Sequence, residues 1–474
     1  MGMITRIGAF VLAVVGMAGM NEAWARQNIA IGELTIGYDY QDRNYKNGDH
    51  RYSSESDARN LFASPRIRLS SRGSSDLLEF TYAPSFTYDD ADNSNFVGHD
   101  LGLLAEKNIT RDWLVQVTDS YYKGEDTVGD YTQRRAAIMP EPEGSMSTPP
   151  IGAGPIDDGI REFSDIYGRQ RYWRNDLSLR TDYTYAQDSI VGLEYRYGVL
   201  RYDDDAGRRD SDYDRHEGVG RLSYRFDTNW HGESEFSYVK GIYDEIDADS
   251  PDAVDEDLEE YHAMLRLNYR WRPHDIYFGR YMYTKTAYED EVYEDSTIHA
   301  FTFGWDHDFS PRLSTTLSGG PSIVTFENSG DETGYNAYAG LRWAVSPISN
   351  LSVHVAHDYE FDNFDTRQVG LTKTWSSGLA FDHRFTPHLG TTLSGGYARS
   401  KHEHPAVAGL PEEYDRFDYT EKIYHVGVAM QYNFLQRYTL AASYRYADHS
   451  EPGDEYDEHR FFLSLTAATE LWRW

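Results

Sequence analysis

Residues 305–320 read WDHDFSPRLSTTLSGG, and residues 381–396 read FDHRFTPHLGTTLSGG. Eleven of the sixteen positions are identical, and the copies lie 76 residues apart. An Asp-His pair beside a Ser/Thr cluster invites a catalytic reading. The flanking pattern selects another. Apolar and polar residues alternate into and out of each copy, with Pro311 and Pro387 near the centre. A strand, a turn and a returning strand account for this, because proline's missing N–H costs nothing at a turn. Trp305, Phe309, Phe381 and Phe385 then fall where a membrane barrel carries an aromatic girdle. His307 and His383 share their strand face and belong to that girdle. The repeat reads as a duplicated hairpin, the simplest way to lengthen a barrel.

The same period of two runs through the chain. Leu34, Ile36, Tyr38 and Tyr40 alternate with polar or small residues, as do Tyr261, Ala263, Leu265, Leu267, Tyr269 and Trp271. Such alternation marks strands with one apolar face. The bulk numbers agree. Net charge is -33 and mean hydropathy is -0.69, yet 15% of residues are aromatic. Disordered chains are poor in aromatics, whereas a transmembrane β-barrel turns only every second strand residue to lipid. With no cysteine, disulfides, thiolate metal sites and c-type haem attachment are excluded. The acidic balance excludes a nucleic-acid surface.

Residues 1–25 read as a secretory signal peptide: Arg6, an apolar run from Ile7 to Met20, and a small-x-small site at Ala23-Trp24-Ala25. A membrane anchor is the alternative, but the run is short against the ~20 residues a spanning helix needs. Residues 26–474 are expected to form one domain. Nine short connections, at 72–76, 109–112, 186–189, 227–230, 272–275, 310–313, 346–350, 386–389 and 433–437, alternate with longer, acidic ones. The long set includes 203–216, 244–260, 288–295 and 451–459. Outer-membrane barrels have short periplasmic turns and longer outer loops. Nine short turns separate ten hairpins, so the fold class is all-β: a single antiparallel up-and-down barrel of about 20 strands, with 18 as the alternative count. At the C-terminal ELWRW, Trp472 and Trp474 fit an apolar alternation that Glu470 breaks, the apolar phase of Phe461, Leu463 and Leu465 is offset by one, and a bulge near Thr469 would absorb the offset.

The signal peptide, the alternating Tyr-rich strands, the Phe-x-Pro-x-Leu turns and the terminal Trp474 resemble bacterial outer-membrane β-barrels. Within these the chain looks most like β-barrel porin families whose members often lie in exopolysaccharide or exosortase-type loci. The resemblance implies residence in the cell outer membrane among phospholipid and lipopolysaccharide. It also implies insertion by the barrel-assembly machinery and, for an exporter, periplasmic export partners.

Charges are costly on a lipid face, so alternation sends a set of arginines inward: Arg66, Arg68, Arg174, Arg180, Arg196, Arg221, Arg225, Arg266, Arg270, Arg280, Arg342 and Arg445. Glu33, Asp39, Glu79, Asp176, Asp182, Glu194, Glu233, Glu235, Asp358 and Glu360 join them. These form either a charge-lined channel for anionic or hydroxyl-rich solutes or a network of pairs bracing the wall. The long loop 126–168 is a candidate constriction or plug, with Arg134, Arg135, Pro149 and Pro150 narrowing the pore; a mobile outer loop is the alternative. The acidic outer loops suit loosely held Ca²⁺ or Mg²⁺, or are simply hydrated and self-repelling. HEHP at 402–405 could hold a transition metal but lacks a third ligand at useful spacing. No cofactor and no catalytic residue is expected. The leading function is a passive porin-like conduit for hydrophilic solutes or an exported polysaccharide. The alternatives are a structural or adhesive barrel displaying acidic loops and, last, an outer-membrane enzyme.

Overall fold

The computed structural model describes residues 26–46, 57–90, 93–124, 171–203, 212–244, 257–289, 294–327, 330–361, 371–403, 419–452 and 454–474. They form twenty strands. The first seven are β1 (Gln27–Tyr45), β2 (Asp57–Arg72), β3 (Asp76–Asp89), β4 (Ser94–Thr110), β5 (Trp113–Gly124), β6 (Tyr172–Ala186) and β7 (Ser189–Tyr202). Then come β8 (Tyr213–Arg225), β9 (Trp230–Tyr243), β10 (Leu258–Arg272), β11 (Asp275–Tyr288), β12 (Ser296–Ser310), β13 (Leu313–Phe326) and β14 (Gly330–Ser346). The last six are β15 (Ser349–Phe361), β16 (Leu371–Thr386), β17 (Leu389–Glu403), β18 (Tyr419–Phe434), β19 (Tyr438–Glu451) and β20 (Asp454–Arg473). Each strand pairs antiparallel with its chain neighbours, and β20 closes on β1 with Thr35 opposite Thr466. Closure leaves no strand edge unpaired.

All nine short turns fall where the spacing places them, and the count is twenty rather than eighteen. Boundaries of the long loops differ from expectation. Most of 451–459 is strand, because β20 starts at Asp454; residues 213–216 belong to β8, and 258–260 to β10. Beyond the lipid band such carboxylates can meet water or a basic partner, as Glu458 meets Arg43 at 2.7 Å, so a strand can run through them. The terminal bulge falls at Leu471 rather than near Thr469: Glu470 lies opposite Ile31 and Trp472 opposite Ala30.

One alternate set of side chains is apolar and exposed, as in Leu193 at 63% and Phe303 at 71%, and this is the lipid face. Six periplasmic hairpin ends carry a bulge at Ile109, Tyr185, Trp271, Phe309, Val345 or Phe385. A bulge sets two residues against one and re-aims a side chain. All six bulged residues are large, apolar and 41–60% exposed, so the device turns them outward at the rim.

The twin segments are β12–β13 and β16–β17, four strands apart. In each, the adjacent Asp and His point to opposite faces, which removes the catalytic pairing. Asp306 accepts from Thr316 Oγ1 at 2.8 Å, and Asp382 from Thr392 Oγ1 at 2.6 Å. His307 Nδ1 lies 2.7 Å from Asp275, with Trp305 and Phe309 packed on its ring; His383 Nδ1 lies 2.8 Å from Ser349 Oγ. The four-strand period recurs on the outer half of the lipid face. Tyrosine hydroxyls meet histidine Nδ1 atoms at Tyr82–His99, Tyr195–His216, Tyr281–His299 and Tyr444–His459, on β3/β4, β7/β8, β11/β12 and β19/β20.

The copies diverge after the shared SGG, where one has Pro321 and the other Tyr397. Pro321 lies inside β13 and cannot donate to β12. The Phe301 carbonyl instead accepts from Asn336 Nδ2 at 3.2 Å, and Asn336 also bonds Thr302 at 2.8 Å and Ser322 at 3.1 Å. A Cβ on neighbouring Gly320 would lie 2.0 Å from that carbonyl oxygen, so only glycine fits. Asn336→Ala is expected to cost about 1–3 kcal/mol, the penalty for orphaning a polar group. The measurement is the urea midpoint of the detergent-folded barrel, and an unchanged midpoint would refute the repair role.

Candidate functional site

The register sets all twelve predicted arginines on the face opposite the lipid-exposed residues, along the lumen. Eight form ion pairs. Arg66 meets Glu33 at 3.3 Å, Arg68 meets Glu79 at 4.0 Å, Arg174 meets Asp176 at 2.9 Å and Arg180 meets Asp182 at 2.7 Å. Arg225 pairs with Asp188, and Arg266 reaches Asp306 at 3.7 Å. The densest group crosses β7–β9. Arg196 contacts Glu194 at 2.5 Å and Glu217 at 3.2 Å; Arg221 contacts Glu194 at 2.7 Å and Glu235 at 2.9 Å. Arg280 donates to Thr302 at 3.4 Å, and Arg445 sits opposite Arg460, which bonds Asp39. Arg270 and Arg342, and Arg384 on the same face, form no ion pair among the described residues. All three lie in the periplasmic third of the lumen.

The wall is therefore uneven around its circumference. Charged pairs crowd β20 to β3 and β6 to β11. Across β13–β19 the inner positions are small and mostly neutral, among them Ser318, Gly340, Gly378, Ser394 and Gly427.

A cluster near the outer end of the lumen escaped sequence reading. His402 Nε2 and His449 Nε2 approach the two oxygens of Glu421, at 3.4 and 3.0 Å. Thr372 Oγ1 lies 3.0 Å from His402 Nδ1, and Tyr419 and Tyr456 stack on the two imidazoles. His402, Glu421 and His449 are 3%, 4% and 0% exposed. His402 thus sits on β17, not in a loop, and its partner is 19 residues away rather than within HEHP. Alternation gives each residue's face, but only register brings the three together. No group of three or more His, Asp or Glu among the described residues is placed to hold a metal ion. The signal segment 1–25, the whole of the 126–168 loop with Arg134, Arg135, Pro149 and Pro150, and most of the acidic outer loops lie outside the described residues.

A closed antiparallel wall with an apolar, aromatic outer face and a polar inner one defines a transmembrane β-barrel of the outer membrane. Residues 330–458, from β14 into β20, match the family described as "Putative outer membrane beta-barrel porin, MtrB/PioB". Among solved structures, the chain is similar to a mutant ferric enterobactin receptor (PfeA) from Pseudomonas aeruginosa in complex with enterobactin. The TM-score is 0.50 at 10% identity, covering 95% of this chain and 82% of that one. It is also similar to OpdL of Pseudomonas aeruginosa, with TM-score 0.43, 13% identity, and coverage of 94% and 99%. At these identities the likeness concerns the fold alone. No curated protein matches the chain. The chain is a β-barrel of the outer membrane, and the matched stretch supports a general role as an outer-membrane channel.

Proposed function

We propose that the barrel is a passive conduit for hydrophilic solutes, with an exported polysaccharide as the larger cargo class. The observation that carries this is the inner face. Its charges are largely neutralised in pairs, and one broad arc, β13–β19, is lined by small polar residues. Such a wall offers hydrogen bonds without a strong single-sign field, which favours neutral or weakly anionic solutes. The chain acts without catalysis on this reading. It works among lipopolysaccharide and phospholipid, is inserted by the barrel-assembly machinery, and meets periplasmic partners if the cargo is a polymer. One observation favours a second reading, a structural scaffold displaying acidic loops: eight of the twelve arginines already have carboxylate partners.

Refolded residues 26–474 in a planar bilayer separate the two. Steady conducting steps with weak ion selectivity are expected. Folded, heat-modifiable protein that never conducts would exclude the conduit and leave the scaffold.

A further inference from the structure

A cavity of about 420 Å³ lies against the periplasmic half of β15–β20. That volume is within the range of small-molecule sites. Part of its lining is one continuous ladder row on the inner face, Asn350↔Asp382↔Thr392↔Ala429↔Ser443↔Phe462. Arg384 and Gln431 occupy the next row towards the periplasm. Ladder rows run perpendicular to their strands, and barrel strands lean about 35–45° from the axis. The row therefore climbs obliquely around the wall. Six strands span five spacings, or about 24 Å at ~4.8 Å each.

Ala429 and Ser443 keep the floor of this trough low. At one end, Asp382 is fixed by Thr392 at 2.6 Å. Beside it the Arg384 guanidinium forms no ion pair among the described residues, and the Asn350 and Gln431 amides complete a set of planar polar groups. At the other end stands Phe462, half-buried, with Phe62 stacked on it at 5.7 Å. Carboxylate, guanidinium and amide planes match pairs of neighbouring hydroxyls. An aromatic face matches the C–H face of a sugar ring. An apolar solute would leave the charged end unsatisfied. A small ion would make no use of the aromatic one.

We infer that this trough binds a hydroxyl-rich, saccharide-like chain several rings long, a reading that rests on the conduit and names its cargo class. The test uses detergent-folded residues 26–474, maltohexaose as probe and a polyethylene glycol of matching length as control. Saturation-transfer NMR reads contact, and block of single-channel current reads passage. Transfer to the sugar but not to the glycol is expected. Phe462→Ala, and separately Ala429→Leu, which fills the floor, should each weaken sugar binding at least about tenfold, or about 1.4 kcal/mol. Heat-modifiable migration checks that each variant is folded. Equal signals from sugar and glycol, or binding that both folded variants leave unchanged, would overturn the trough. Sugar binding without conductance keeps the trough and removes the conduit. Conductance without sugar binding does the reverse.

Discussion

Glu194→Gln is expected to destabilise the barrel by about 2 kcal/mol and to turn its lumen towards anions. Glu194 is the hub of the β7–β9 network. Its carboxylate accepts from Arg196 Nε at 2.5 Å and from Ser178 Oγ at 3.0 Å, and meets Arg221 Nη1 at 2.7 Å. Its own side chain is 8% exposed, while those of Arg196 and Arg221 are 42% and 27% exposed. Removing one partner of a fully buried pair costs about 3–5 kcal/mol. Water at the two guanidiniums discounts this, which is why the smaller figure is expected. The electrostatic effect is less diluted. Arg196, Arg215 and Arg221 currently balance Glu194, Glu217 and Glu235, three charges against three. The amide leaves one net positive charge facing the lumen. Reversal potentials in a salt gradient should shift towards chloride, and Glu194→Gln combined with Arg221→Gln should restore much of both properties. Additive losses in the double variant would mean that Glu194 and Arg221 are not coupled.

Much of this wall was legible in the sequence for a simple reason. A strand that faces lipid on one side and water on the other must alternate, so each inner arginine could be assigned from its neighbours alone. The turns were legible because proline, serine and aspartate mark them. Pairing was not. Arg196 lies two residues from Glu194 and 21 from Glu217, and nothing in the linear pattern ranks these partners; register does. The offset between the Leu465 and Trp472 phases calls for a bulge near Thr469; it falls at Leu471, two residues on, because phase reveals an extra residue without locating it. Carboxylate-rich stretches such as 451–459 look like loop by composition. Their alternation, with Tyr456 and Glu458 on the inner face, was the signal that they continue the strand. The twin Asp-His pairs show the converse hazard: residues adjacent in a strand face opposite ways, so adjacency is evidence against joint chemistry there. The cavity on β15–β20 arises where side chains are small, and the absence of bulk leaves no motif.

Glu421→Gln should remove an acid-sensitive part of the barrel's stability. The triad of Glu421, His402 and His449 sits beyond the lipid band, since the outward residues at its level include Lys401 and Lys422. Burial by itself would raise the Glu421 carboxyl, but the hydrogen bonds and charges of the two imidazoles outweigh it and hold the group well below its ordinary 4.5. A carboxylate depressed in the folded state contributes its full stability above the unfolded value, and loses it as pH falls through the folded one. The wild-type barrel should therefore keep the triad's contribution at neutral pH and shed it progressively below about pH 4.5, the unfolded carboxyl range. At neutral pH the amide should cost about 3 kcal/mol, the low end for breaking a buried charged contact. Below pH 4 that difference should shrink, because protonation of the wild type neutralises the same group. Arg43 and Glu458, paired at 2.7 Å close by, titrate alike in both proteins and cancel in the comparison. Urea midpoints of wild type and Glu421→Gln, followed from pH 7 to pH 3, give the answer directly. Converging curves place the acid sensitivity at Glu421. Curves that stay parallel would show that the two histidines do not hold the Glu421 charge, and that the acid sensitivity of the outer end lies elsewhere.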